Sequence, residues 1–174
     1  MRSSSATTDA LTLFAASSDP YYQARTEPVH PKAVAFLDTW RTHAHGRDLV
    51  IGKDIPSRPF ARFLDNFMLA EPIENDTDCR IRLAGSSLRK RYKREVSGER
   101  FSKLFSPAIA AENLARLRKV RETGTPSIFS AVIIADGAPT LQYEVLVLRA
   151  LASDEVTMWN VLGIFMLDHD GSGA

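Results

Sequence analysis

Cysteine is almost missing from this chain: Cys79 is the only one in 174 residues. A lone thiol makes no internal disulfide and no cysteine cluster for zinc, so stability must come from a packed core, and a reducing cytoplasm is the compartment that fits. Histidine is scarce as well, with four copies. His43 and His45 stand two apart, a spacing that points them to different helix faces, which suits two solvated side chains better than a metal pair. No apolar run approaches the ~20 residues of a membrane-spanning helix. Ala10 to Ala16 is apolar apart from Thr12, but Asp9 precedes it and Arg2 is the only upstream side-chain cation, a poor pattern for a signal peptide. Neither sign of charge prevails. With 22 Lys plus Arg against 21 Asp plus Glu, the formal charge is +1, and no global field draws the chain to nucleic acid or to an anionic membrane. The sequence contains no P-loop, zinc-protease motif, nucleophile elbow, kinase signature or transmitter histidine box.

What is present is an apolar content of 44%, enough for one substantial core and one folded domain with a tail. Its centre is the stretch from Thr125 to Leu167. Ser127 to Ala135 is a run of β-branched and aromatic residues that favours a buried strand. Asp136 and Gly137 tolerate the positive φ of a tight hairpin. Leu141 to Leu151 puts Tyr143, Val145 and Val147 on one face and Gln142 and Glu144 on the other, until Leu146 and Leu148 make that second face apolar too. After a turn at Ser153, Asp154 and Glu155, Val156 to Leu167 is apolar on both parities, the pattern of a strand inside a sheet.

Ahead of this meander, residues 1–29 are rich in Ser, Thr and Ala and read as a flexible arm, with Tyr21 and Tyr22 as docking points. Pro31 suits the first turn of a helix whose stripe is Ala33, Phe36, Leu37, Trp40 and Ala44, with a stop at Gly46. That stripe either packs on the back of the sheet or also meets a second copy of the protein. Phe60, Phe63, Leu64 and Phe67 form a short second stripe. Met68 to Ile73 and Arg80 to Ala84 read as strands about the polar turn Glu74 to Asp78. A helical stretch begins near Ser86. Ser106 and Pro107 cap its longer part, Ile109, Leu114, Leu117 and Val120 form an apolar stripe, and Gly124 with Pro126 stops it. Residues 169–174 read as a flexible tail.

Several short motifs fall in a telling order. Trp40-Arg41, then Ile55-Pro56-Ser57-Arg58, then Arg82-Leu83-Ala84-Gly85-Ser86, then the turn from Arg94 to Phe101, and finally Glu144 to Leu151 together resemble a bacterial PAS-domain family, over roughly Pro31 to Leu167. The last strand departs from the family pattern, since Arg149 and Ala150 stand where proline and leucine are usual. The resemblance implies an α+β fold, a five-stranded antiparallel sheet with helices enclosing a small cavity on one face and an N-terminal helix on the other. It also implies a sensory or regulatory role, in which the domain binds a small apolar ligand or a signalling partner and catalyses nothing. Without an output domain in this sequence, it is expected to act on another protein.

On that fold the cavity wall is expected to comprise Leu104, Leu114, Phe129, Tyr143, Val145, Val147, Trp159 and Phe165. The family's habit of pairing through the outer sheet face and N-terminal helix makes Phe36, Leu37 and Trp40 the expected surface for a homodimer or for a histidine kinase. The cofactor is unknown. Haem is not expected, because Pro107 to Thr123 contains no histidine, and a photoreactive flavin is not expected, because Cys79 opens a strand instead of lying on the helix that carries the reactive cysteine.

Two alternatives from other classes remain. Arg89, Lys90, Arg91, Lys93, Arg94, Arg100 and Lys103 face only Glu95 and Glu99 in their own segment, a basic patch that nucleic acid or an acidic protein could use. The simpler reading is a solvated face answered by Glu71, Glu74, Asp76 and Asp78. A cone-shaped isomerase or dehydratase would instead need a buried carboxylate beside Tyr143. Glu144 has the wrong strand parity for that, which leaves Asp38 and Asp65.

Overall fold

The computed structural model describes residues 20–135 and 138–167. The elements in chain order are β1 (Tyr21–Arg25), α1 (Pro31–Ala44), β2 (Leu49–Val50), a 3₁₀ segment (Arg58–Asn66), β3 (Phe67–Ile73), β4 (Asp78–Ala84), α2 (Ser86–Tyr92), a 3₁₀ turn (Phe101–Leu104), α3 (Pro107–Thr123), β5 (Ser127–Ala135), β6 (Ala138–Leu151) and β7 (Met158–Leu167). They form an α+β fold around one sheet with spatial order β1-β5-β6-β7-β3-β4. No described helix is long and apolar enough to cross a membrane.

The five expected strands all form, and two more join them. β1 arises within the stretch read as a flexible arm and pairs antiparallel with β5, Tyr22 opposite Ala131. Its polar composition hides it, because an edge strand takes its stability from one neighbour and from one inward side chain in two. β2 pairs parallel with the end of β6, at Ala150 and Leu151, beyond the point where β5 has left its partner at Val147. The hairpin turn expected at Asp136 and Gly137, residues 1–19 and the tail at 169–174 lie outside the described residues.

Local chemistry fixes the ends of the helices. His30 caps α1, its Nδ1 accepting the Lys32 N–H at 3.0 Å, and Pro31 occupies the first turn, where no N–H is needed. The stop falls one residue before the expected glycine: His45 itself takes the left-handed conformation at φ 47°. α3 ends on Gly124 at φ 74°, whose N–H reaches the Val120 carbonyl at 2.9 Å.

The sheet separates two cores. Between the sheet and α1 lie Phe36, Leu37 and Trp40 with Phe60, Phe63, Phe67, Leu146, Leu148 and Phe165, all buried. The helix comes close because β7 offers a glycine there: a Cβ on Gly163 would stand 2.9 Å from the Phe36 ring. The stripe Phe36, Leu37 and Trp40 is therefore used up inside the protomer and presents no surface for a second copy or a kinase, which corrects the expectation placed on it. A helical stripe reads the same in sequence whether an intramolecular sheet or a partner covers it. The other core, between the sheet and α2, the 3₁₀ turn and α3, contains the candidate site.

Candidate ligand cavity

Strand parity on β6 sets one wall of a cavity: Tyr143, Val145 and Val147 face it from the sheet, with Phe129 on β5 and Met68 on β3 beside them. Leu162 and Ile164 of β7 continue this wall. Opposite stand Tyr92 from the end of α2, Phe101 and Leu104 from the 3₁₀ turn with Phe105 just after it, and Asn113, Arg116 and Leu117 from α3. Tyr22 of β1 closes the edge. The volume open to the centre of a water-sized sphere is about 40 Å³, room for about three waters or a very compact ligand. Anything larger requires a wall side chain to move.

Of the eight residues expected on this wall, Leu104, Phe129, Tyr143, Val145 and Val147 line it. Trp159 and Phe165 do not. They share the β7 parity of Val161 and Gly163, so Phe165 is buried against α1 and Trp159 lies half-buried with the Arg82 guanidinium 5.8 Å from its ring. Because β7 is apolar on both faces, its parity could not be read from hydrophobicity alone. Leu114 packs partly buried at the margin of the cavity-side core and borders a surface groove along α3. The inward line of that helix is Ile109, Asn113, Leu117 and Arg121, four residues apart at each step. A stripe drawn through apolar residues alone shares Ile109 and Leu117 with this line but takes in Leu114 and omits Asn113 and Arg121, and Arg116 carries no apolar signal either.

These two polar residues give the cavity its chemistry. The Asn113 Nδ2 donates to the Tyr22 hydroxyl at 2.9 Å, and its Oδ1 accepts from Arg116 Nη1 at 2.7 Å. The Arg116 guanidinium lies over Phe129, 4.2 Å from the ring centroid, and over Tyr22 at 4.9 Å. Tyr22 meets Phe129 edge to face at 5.1 Å. Burial pushes the Tyr22 phenol well above its usual range, with Tyr143 reinforcing the shift and the Asn113 bond opposing it.

The far half of α3 is pinned to the sheet by a different set of contacts. Asn160 of β7 is fully buried and donates through Nδ2 to the carbonyls of Leu117 at 3.2 Å and Leu148 at 3.4 Å. Arg121, also buried, bonds Asn160 and Asp76 and reaches the Cys79 sulfur at 3.6 Å. Arg149, standing where the family pattern has proline, donates to the Arg121 carbonyl at 2.9 Å and pairs with Asp48 at 2.9 Å. Cys79 itself is buried, and burial raises its thiol to about 11, so it is held as the neutral thiol.

The other expected sites fall elsewhere. Glu144 is buried on the outer face, where its carboxylate accepts the N–H groups of Val29, at 2.8 Å, and His30, at 2.9 Å, at the entry to α1. Asp38 is exposed on a groove beside α1, and Asp65 is exposed and accepts the Ser86 hydroxyl at 2.7 Å. No carboxylate is among the residues lining the cavity, so the pairing that an isomerase would need beside Tyr143 is not made. In the basic segment, Arg89 and Lys90 project from α2 and Lys93 ends it. Arg89 pairs with Glu95 at 3.5 Å, Arg94 with Glu99, and Arg100 with Glu74 and, at 3.8 Å, with Asp78. Glu71 and Asp76, also expected to answer this segment, are engaged by Arg82, Arg118 and Arg121 instead.

No curated protein and no solved structure matches the chain. A family model described as a PAS domain matches residues 29–166, from the entry to α1 through nearly all of β7. That span includes both faces of the sheet and every cavity residue except Tyr22, and the chain belongs to the PAS domain family.

Proposed function

We propose that this PAS domain is a sensory and regulatory module that binds a small molecule in the cavity between the sheet and α3 and passes the outcome on through protein contacts, with no reaction of its own. The observation that carries the reading is the cavity itself, an aromatic and aliphatic enclosure with a few convergent polar groups, the usual make-up of a ligand site. Its residues include no histidine to hold haem iron and no cysteine to trap a flavin.

Signalling would work by population shift. The C-terminal half of α3 is fixed through Asn160, Arg121 and Arg149, whereas the half carrying Asn113 and Arg116 is tied to edge strand β1 through Tyr22. A ligand that draws on Asn113, Arg116 or Tyr22 acts on the weaker of these two attachments. β1 and the entry to α1 would then carry the change to the outer face, where Val29 and Val34 are exposed. Those two residues replace the buried Phe36 stripe as the proposed contact for a homodimer or a kinase partner.

Native mass spectrometry of protein purified without added ligand tests the sensory reading. A retained small molecule that is lost when Val147→Phe fills the cavity supports it, while retention in the filled variant counts against it. Sedimentation of Val34→Glu beside wild type tests the contact. A dimer that the substitution leaves intact overturns the choice of surface.

A further inference from the structure

The charge inside the cavity is one-sided. Arg116 contributes a guanidinium, Asn113 an amide, and no lining residue contributes a carboxylate. We propose that the ligand is a compact organic monoanion, an apolar or aromatic body bearing one carboxylate, whose head is received by Arg116 with Asn113 and Tyr22. The proposal rests on the cavity being a ligand site and adds the chemical class of what enters it.

Three features of the polar end support this assignment. Stacking on the rings of Phe129 and Tyr22 holds the Arg116 plane in place, and its two side-chain bonds, to Asn113 Oδ1 at 2.7 Å and Glu112 Oε1 at 3.3 Å, use fewer N–H donors than a guanidinium has. Tyr22 accepts the Asn113 bond, so its own O–H proton points elsewhere, as a further donor. Finally, among the described residues the charge of Arg116 is answered by one half-exposed partner a helical turn away, Glu112, the kind of pair that solvent weakens. A carboxylate arriving from the cavity side would be better shielded from water and would take a charge-assisted, two-pronged bond that a neutral amide or an amine could not. Glu112 is then a competitor for the same cation, and it does not line the cavity.

The test compares benzoate and hexanoate, both larger than the resting cavity and admitted by movement of a wall side chain, with benzamide, hexanamide and benzylamine, following the methyl resonances of Val145, Val147, Leu162 and Ile164. The acids should bind the wild-type protein about tenfold or more tighter than their amides, and benzylamine should not bind. Glu112→Gln should tighten the acids severalfold and leave the amides unchanged, the opposite of what a merely structural loss would do. Arg116→Gln should reduce the acids to the level of the amides, and if that variant does not fold, Glu112→Gln decides alone. Amides that bind as well as acids, or an unchanged ratio in Glu112→Gln, overturn the anion assignment while leaving the cavity as a ligand site. Shifts confined to residues outside the cavity overturn both, and the absence of binding by any acid overturns the proposal.

Discussion

Asn113 of α3 donates a 2.9 Å hydrogen bond to the hydroxyl of Tyr22 on β1, so the long helix and the edge strand share one polar fastening at the mouth of the cavity. Removing the hydroxyl with Tyr22→Phe should cost about 1 kcal/mol, the net worth of one such bond. Asn113→Ala should cost more, about 1–3 kcal/mol, because it also takes the Arg116 Nη1 acceptor away. Urea denaturation measures both. Hydrogen exchange should show the β1 amides opening faster in each variant, and unchanged β1 protection would count against this fastening.

The α1 stripe should behave as core. Trp40 and Phe36 are buried among the aromatic residues of the outer face, so Trp40→Ala should cost about 3–5 kcal/mol. Phe36→Glu should unfold the protein instead of selectively separating subunits, since it buries an unpaired charge. A folded, fully stable Phe36→Glu monomer would show that α1 does not lie on the sheet as described.

Gly163 of β7 lies directly against the Phe36 ring of α1. An added methyl would stand 2.9 Å from both the Phe36 and the Phe165 rings, so Gly163→Ala should destabilise by about 1–3 kcal/mol. Gly163→Ala with Phe36→Leu should recover part of that loss, because the two sites share one contact. Thermal unfolding of the single and double variants checks the coupling.

Alkaline pH should weaken the fold. The Cys79 thiol is raised from 9.0 to about 11, and the Tyr22 phenol is also raised. For both groups the unfolded chain loses its proton first, so their contribution is complete below the unfolded pKa and is lost as pH rises through the folded one. Stability should fall from about pH 9, with Cys79 accounting for on the order of 2 kcal/mol by pH 11. Cys79→Ala should flatten that slope, which denaturation midpoints at pH 8, 9, 10 and 11 would show. An equal slope in the variant would mean that the thiol has little part in it.

Much of the architecture was legible in the residues themselves. Pro31, Pro107 and Gly124 marked the helix boundaries by their own backbone limits, and the alternation in Tyr143, Val145 and Val147 set the cavity face of β6. These are local properties, set by φ restriction and by the two-residue period of a strand. The order of the short motifs supplied the family, and with it the sheet and its two covers. What tertiary structure alone decided was the placement of residues whose local signal is ambiguous. β7 is apolar on both sides, and only pairing with β6 and β3 turns Leu162 and Ile164 toward the cavity and Phe165 toward α1. β1 has no stability of its own until β5 offers an edge. Asn113 and Arg116 look like ordinary polar residues on a helix. They become the charged end of a cavity only because the fold brings Tyr22, 91 residues from Asn113 in sequence, and Phe129 of the next strand against them. Such long-range contacts depend on the geometry of the whole chain, which local propensity does not specify.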